Sequence, residues 1–331
     1  MSIRIIGTGS YVPERVLTNQ DLEKMVDTTD EWITSRTGIQ ERHIAGEGVF
    51  TSDLSAEAAK RALEMAGITA DQLDLISVAT VTPDTTFPST ACVLQRKIGA
   101  VNAACYDLVA ACTGLIYSLE VAYSLLKASS GKYRYALVLG ADKLSSIVDW
   151  TDRSTCILFG DGSSAVVLKN DPDDHSPDFV VASKIGANGN YTDLLKLPAG
   201  GSAMPASHAT VDNRLHYIHM AGKEVFKLAV NGMADSCKYV MNVSGVRPEE
   251  IAWVIPHQAN KRIISAAAQR LNLPLERVYV NIEHIGNTSA ASVGICLDEL
   301  NRAGKLKTGD YILTTAFGGG LTWGAMLMRW T

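Results

Sequence analysis

Residues 55–78 read "SAEAAKRALEMAGITADQLDLISV". Apolar residues recur at a helical period through Ala66, which predicts an amphipathic helix with one buried stripe. Gly67 stops the helix, a short acidic turn follows, and a β-rich run takes over at Leu75. Residues 233–255, "MADSCKYVMNVSGVRPEEIAWVI", repeat the same grammar with a stop at Gly245. Gly67 and Gly245 stand 178 residues apart (245 − 67), as do Gly140 closing "YALVLG" and Gly318 closing "YILTTAFG" (318 − 140). A shared offset predicts a duplicated α/β unit. Each copy carries a second helix, "CTGLIYSLEVAYSLLKA" and "TSAASVGICLDELNRAG", apolar almost all round and so expected between sheets. The expected division is residues 1–170 and 171–331.

Composition narrows the function classes. The chain has 331 residues, 47% hydrophobic and 20% charged, enough for a well-buried core in one large or two medium domains. A formal net charge of −5 argues against nucleic-acid binding, which needs a basic field. The start, "MSIRIIGTGSYVPE", lacks the apolar core of a signal peptide, and no run approaches bilayer-spanning length. A cytoplasmic protein is expected, with neither membrane nor nucleic acid as partner. The six cysteines are scattered without a CxxC pair and read as free thiols, mostly buried.

Three other stretches carry expectations. "CILFGDGSSAVVL", residues 156–168, predicts strand–turn–strand with the turn at Asp161-Gly162. "NDPDDHSPD", residues 170–178, is acidic, but its spacing fits no cation loop, and a solvated turn is expected. Residues 186–213, rich in glycine and alanine, are expected to run over the surface.

Cys112 sits where a short β-rich run gives way to a long helix. A thiol there faces unpaired N–H groups and the positive helix end, which predicts a depressed pKa and a nucleophilic role. Taken alone, Cys112 equally suits one more small buried residue. His257 ends the matching strand of the second copy in "WVIPHQANKRI", and Asn287 precedes the matching helix in "HIGNTSAAS". Duplication predicts that the helix starts face one another, so Cys112, His257 and Asn287 converge. Papain-like proteases use the same three residue types in the same order, but "AACTGL" does not match their cysteine context. Three glycines in "TTAFGGGLTWG" let a backbone N–H approach a reacting carbonyl oxygen. That segment is no phosphate loop, having no GK[ST], and "GTGSYVP" lacks the third glycine of a dinucleotide fingerprint.

These motifs together resemble a known family. "GTGSYVPERVLTN", "TDEWITSRTGIQERHIA", "AACTG", "TDRST", "FGDGSSAVVL", "GKEVFKLAV", "PHQANKRI", "GNTSAAS" and "FGGGLTWG" are similar, in order, to β-ketoacyl-acyl-carrier-protein synthase III. The resemblance implies a thiolase fold: α/β, with duplicated βαβαβαββ halves in five α-β-α-β-α layers, and a homodimer. It implies a decarboxylating condensation of a short acyl-CoA primer, acetyl-CoA foremost, with malonyl-acyl carrier protein, and no cofactor beyond coenzyme A thioesters as substrates. Related condensing enzymes that take longer acyl thioesters are the alternative. Elongating synthases pair the cysteine with two histidines, and Asn287 stands at the second position here.

Residue by residue, the resemblance makes Cys112 the acylated nucleophile and His257 with Asn287 the decarboxylation pair. The N–H groups of Cys112 and Gly319 form the oxyanion hole. Trp32 and Arg153 flank the adenine of coenzyme A, while Arg36, Thr37, Gly222 and Asn260 contact the rest of it. Phe87 and Leu115 border the acyl pocket. Lys261, Arg262 and Arg270 offer a basic helix side to an acidic carrier protein. Leu115 and Lys261 depart from the commoner residues of the family.

Overall fold

The computed structural model describes residues 1–331. In chain order the first half contains β1 (Ser2–Tyr11), α1 (Asp30–Thr37), α2 (Thr51–Ala66), β2 (Leu75–Ala79), α3 (Thr90–Ile98), β3 (Ala104–Leu108), α4 (Gly114–Ala128), β4 (Tyr135–Asp142) and β5 (Gly162–Asp171). The second contains β6 (Val180–Ala187), α5 (Gly222–Ser244), β7 (Ile251–Pro256), α6 (Lys261–Arg270), α7 (Ser292–Arg302), β8 (Tyr311–Gly318) and β9 (Thr322–Arg329).

Helix α2 buries Leu54, Ala58, Ala59, Ala62 and Leu63 along one stripe, and α5 buries Met233, Ala234, Cys237 and Val240 along its own. Both end on a left-handed glycine, Gly67 at φ 64° and Gly245 at φ 72°, where a side chain would be strained. The first sheet has the order β1-β5-β4-β2-β3, the second β7-β8-β9-β6. In each, a parallel pair (β2 with β4, β7 with β8) continues into two antiparallel neighbours. The second copy replaces β3 with a single bridge, Val254 to Val278.

The largest core cluster explains the layering. Leu115, Ile116 and Leu119 of α4 and Val293, Cys296 and Leu297 of α7 pack with Val138 and Val166 of the first sheet and Ile312 and Met326 of the second. The two helices therefore form a central layer with apolar contacts on both faces. Helices α2 and α3 cover the outer face of the first sheet, and α5 and α6 that of the second. Each fully buried aliphatic side chain contributes about 1.5–3 kcal/mol to this arrangement.

The 156–168 stretch differs from the strand–turn–strand expectation, because β5 starts only at Gly162. The Asp161 carboxylate is buried, accepting bonds from the Ser145 hydroxyl and from the Ser145 and Ala45 amides. Those tertiary donors tie residues 156–161 into the site instead of into a sheet.

Candidate active site

The cysteine arrives on a strained turn. Ala111 takes φ 47°, Cys112 sits in the 3-10 turn Ala111–Thr113, and α4 begins at Gly114. Gly318 at the end of β8 packs against this turn so closely that a Cβ there would stand 2.7 Å from the Cys112 nitrogen. Thr322 clamps the same region, its hydroxyl donating to the Ala110 carbonyl at 3.0 Å. The expected depression of the thiol pKa is not what the surroundings give. Burial pushes the Cys112 thiol up to about 12, a Ser289 hydrogen bond opposes this, and the Asp142 charge reinforces it. Removal from water disfavours the charged thiolate.

His257 follows the last residue of β7, and its amide donates to the Thr315 carbonyl at 2.7 Å. The ring is buried, and burial pushes it down to about 3, so the imidazole is neutral near neutral pH. Its Nδ1 lies 2.6 Å from the Ser292 hydroxyl. Asn287 is held by backbone bonds to Leu158 and Gly160. Its Oδ1 accepts the Ser289 amide at 2.9 Å, which leaves the Nδ2 hydrogens as the free end. Gln258 is buried between them in sequence and braces the loop, its Oε1 accepting the Asn281 and Ile282 amides.

Cys112, His257 and Asn287 line one cavity of about 320 Å³, together with Arg36, Thr37, Gly222 and Asn260. A second cavity of about 120 Å³ also begins at Cys112 and is walled by Leu144, Ile147, Phe159, Leu195, Ile218 and Gly319. Leu195 and Phe159 line both. Sequence reading missed these apolar walls. Leu195 belongs to the 186–213 excursion, which folds back through the pairing of Leu195–Lys196 with His219–Met220.

At the exposed end, Trp32 follows the Thr29 cap of α1, and the guanidinium groups of Arg36 and Arg153 lie 4.7 and 4.8 Å from its ring centroid. Arg153 also donates to the Asp27 carbonyl at 2.6 Å. The Thr37 hydroxyl donates to the Ile33 carbonyl within α1. Asn260 caps α6 by accepting the Arg262 amide, and it donates to the Arg36 carbonyl at 3.0 Å.

The structure places the remaining expected residues as follows. Leu115 is 1% exposed and packs in the central core, facing neither cavity, because its helix turns it toward α7. Phe87 is 85% exposed on the loop before α3 and lines neither of these two cavities. Lys261 is already paired with Glu283, and Arg270 lies 3.9 Å from Asp235. Arg262 has no acidic partner and rests 5.8 Å from the Phe226 ring beside the larger cavity. Cys92 is exposed, not buried. No group of His, Cys, Asp and Glu is arranged to hold a metal, and no helix is long and apolar enough to cross a membrane.

Two stacked copies of one α/β unit in five layers define a thiolase fold. The match to solved condensing enzymes agrees: the crystal structure of 3-oxoacyl-(acyl-carrier-protein) synthase III from Aquifex aeolicus superposes with a TM-score of 0.90 at 50% identity, covering 99% of this chain and all of the other. Family models for 3-oxoacyl-(acyl-carrier-protein) synthase III match residues 106–189 and, for its C-terminal part, 241–330. The β-ketoacyl-acyl-carrier-protein synthase III of Caldanaerobacter subterraneus is 53% identical over 99% of this chain and 97% of its own length. The A. aeolicus enzyme of that name is 51% identical over the full length of both. The chain belongs to the β-ketoacyl-acyl-carrier-protein synthase III family. It is an acyltransferase, an initiating ketosynthase of fatty acid synthesis.

Proposed function

We propose that Cys112 takes an acyl group from a short acyl-CoA and that His257 and Asn287 drive the decarboxylation of malonyl-acyl carrier protein that follows. One observation carries this reading: the three side chains line a single cavity whose far end opens, at Cys112, into a small apolar pocket. The cavity suits the pantetheine arm that coenzyme A and the carrier protein share. The pocket suits a short acyl chain.

In the first step the Cys112 sulfur attacks the primer thioester carbonyl, the bond to the coenzyme A sulfur breaks, and the thiol proton leaves with coenzyme A. The N–H groups of Cys112 and Gly319 receive the developing oxyanion. In the second step malonyl-carrier protein loses CO2, and charge builds on its thioester oxygen. Asn287 is a permanent donor to that oxygen, and a neutral His257 donates from one ring nitrogen. The enolate carbon then attacks the acyl-cysteine carbonyl, forming the new C–C bond and releasing Cys112. The labour divides by halves, residues 1–170 bringing the nucleophile and 171–331 the histidine and asparagine.

Trp32 and Arg153 take the adenine by parting their present stack, and Arg36, Thr37, Gly222 and Asn260 guide the chain below it. Arg262, the cation without an acid partner, is the main contact for an acidic carrier protein, with Lys261 and Arg270 secondary because their charges are partly spent. A second copy completes the enzyme. β3 is an open sheet edge, and beside it Phe87, Val101 and Val109 are exposed apolar groups that a monomer would leave wet. In such a dimer Phe87 borders the acyl pocket of the other copy.

Intact-protein mass spectrometry with a ladder of acyl-CoAs tests the reading. Wild-type enzyme should gain one short acyl group, and Cys112→Ser none. Acylation by long chains alone would contradict the primer assignment, and an adduct retained in Cys112→Ser would contradict the nucleophile.

A further inference from the structure

The chemistry of His257 depends on which ring nitrogen carries its single proton, since a neutral imidazole donates from one and accepts at the other. The surroundings of Nδ1 fix the answer. Nδ1 lies 2.6 Å from the Ser292 Oγ, and both side chains are almost fully buried, at 1% and 2% exposure. Ser292 Oγ has one other partner, the Gln258 backbone N–H at 3.4 Å, which can only donate. No carbonyl or carboxylate oxygen takes the Ser292 proton. If Nδ1 carried the hydrogen, Oγ would accept twice and its own O–H would be buried without an acceptor, a costly arrangement. If Ser292 donates to Nδ1, the hydroxyl proton and the Nδ1 lone pair satisfy each other, and Oγ accepts the Gln258 N–H.

We infer that Ser292 donates to Nδ1 and thereby holds His257 as the Nε2–H tautomer, a positioning residue that commits the imidazole to donating toward the reacting thioester oxygen. The inference rests on the proposed role of His257. It adds that His257, so held, cannot take the proton of Cys112 directly at Nε2. The two half-reactions should therefore respond differently to Ser292. Condensation needs the Nε2–H donor, whereas acylation of Cys112 does not.

The test measures both half-reactions separately, acylation by mass spectrometry and condensation by CO2 release from malonyl-carrier protein on pre-acylated enzyme. Ser292→Ala should slow condensation at least about tenfold relative to acylation, and Ser292→Thr, which keeps the hydroxyl, should restore it. A ¹⁵N-histidine correlation spectrum, with His257→Gln used for assignment, should show an unprotonated Nδ1 and a protonated Nε2 in wild type. Its tautomer pattern should change in Ser292→Ala. Equal loss of both half-reactions, or a wild-type ring protonated at Nδ1, would overturn the inference while leaving the nucleophile standing. Failure of wild-type enzyme to acylate Cys112 would instead remove the underlying reading. Should Ser292→Ala not fold, the wild-type spectrum and Ser292→Thr decide the matter.

Discussion

The turn around Cys112 and the turn around Ala290 share a backbone and differ in chemistry. Ala111 and Ser289 take nearly the same left-handed φ, 47° and 50°, and stand 178 residues apart (289 − 111). The same offset pairs Cys112 with Ala290, Gly114 with Ser292 and Ala79 with His257. A glycine of the opposite sheet presses on each turn: a Cβ on Gly318 would stand 2.7 Å from the Cys112 nitrogen, and one on Gly140 2.2 Å from the Ala290 oxygen. At the second turn the Ala290 N–H meets the Asp142 carboxylate at 3.4 Å, which also accepts from Thr80, Val81 and Thr82. At the first, no carboxylate lines the space before the Cys112 N–H, and the turn opens on the cavities. Duplication thus supplied two equivalent turns. One is closed by a carboxylate and gives structure, while the other is left open and, on our reading, does chemistry.

The most severe test of that contrast moves the thiol. Cys112→Ser should lower turnover by at least about 10⁴-fold, as removal of a covalent nucleophile does. Adding Ala290→Cys to it should restore neither turnover nor an acyl adduct, because the Asp142 carboxylate occupies the place where an oxyanion would form. Acylation at residue 290 would show that the two turns are chemically interchangeable. A smaller effect separates the two pressing glycines. Gly140→Ala and Gly318→Ala should each cost about 1–3 kcal/mol of stability from overpacking. Only Gly318→Ala should also slow acylation, since it alone displaces the nucleophile. Chemical denaturation and acylation rates measured on both variants check this.

Acid sensitivity gives a gentler probe of the second half. His257 is held near 3 in the folded protein, against an ordinary value of 6.5, so the unfolded chain binds a proton there more readily. Stability should therefore fall as pH drops below about 6.5, by about 2 kcal/mol at pH 5 from this group alone. Thermal melts from pH 7 to pH 5 should show a smaller fall in His257→Gln than in wild type. Equal falls would mean that the ring is solvated.

Much of this contrast was legible beforehand. Gly67 and Gly245 announce the duplication because a left-handed helix stop favours glycine, and Cys112, His257 and Asn287 stand at element ends that duplication brings together. What escaped depends on tertiary surroundings. Burial pushes the Cys112 thiol up, and the apolar walls beside it include Leu195, Phe159 and Ile218, which are distant in sequence. Lys261 reads as a free cation until Glu283 is seen beside it. Leu115 reads as pocket because it is near Cys112 in sequence, yet its helix turns it into the core. Ser292 carried no signal of its own, since a serine at a helix start is ordinary; only its contact with Nδ1 distinguishes it.

On this reading the open turn performs acylation while the His257–Asn287 side performs decarboxylation. A single-turnover experiment on Asn287→Ala addresses it most directly, following the acyl adduct on Cys112 and CO2 release from malonyl-carrier protein in the same sample. The adduct should form at the wild-type rate and condensation should slow about a hundredfold, the effect of one lost donor worth about 3 kcal/mol. Equal loss of both steps would contradict it.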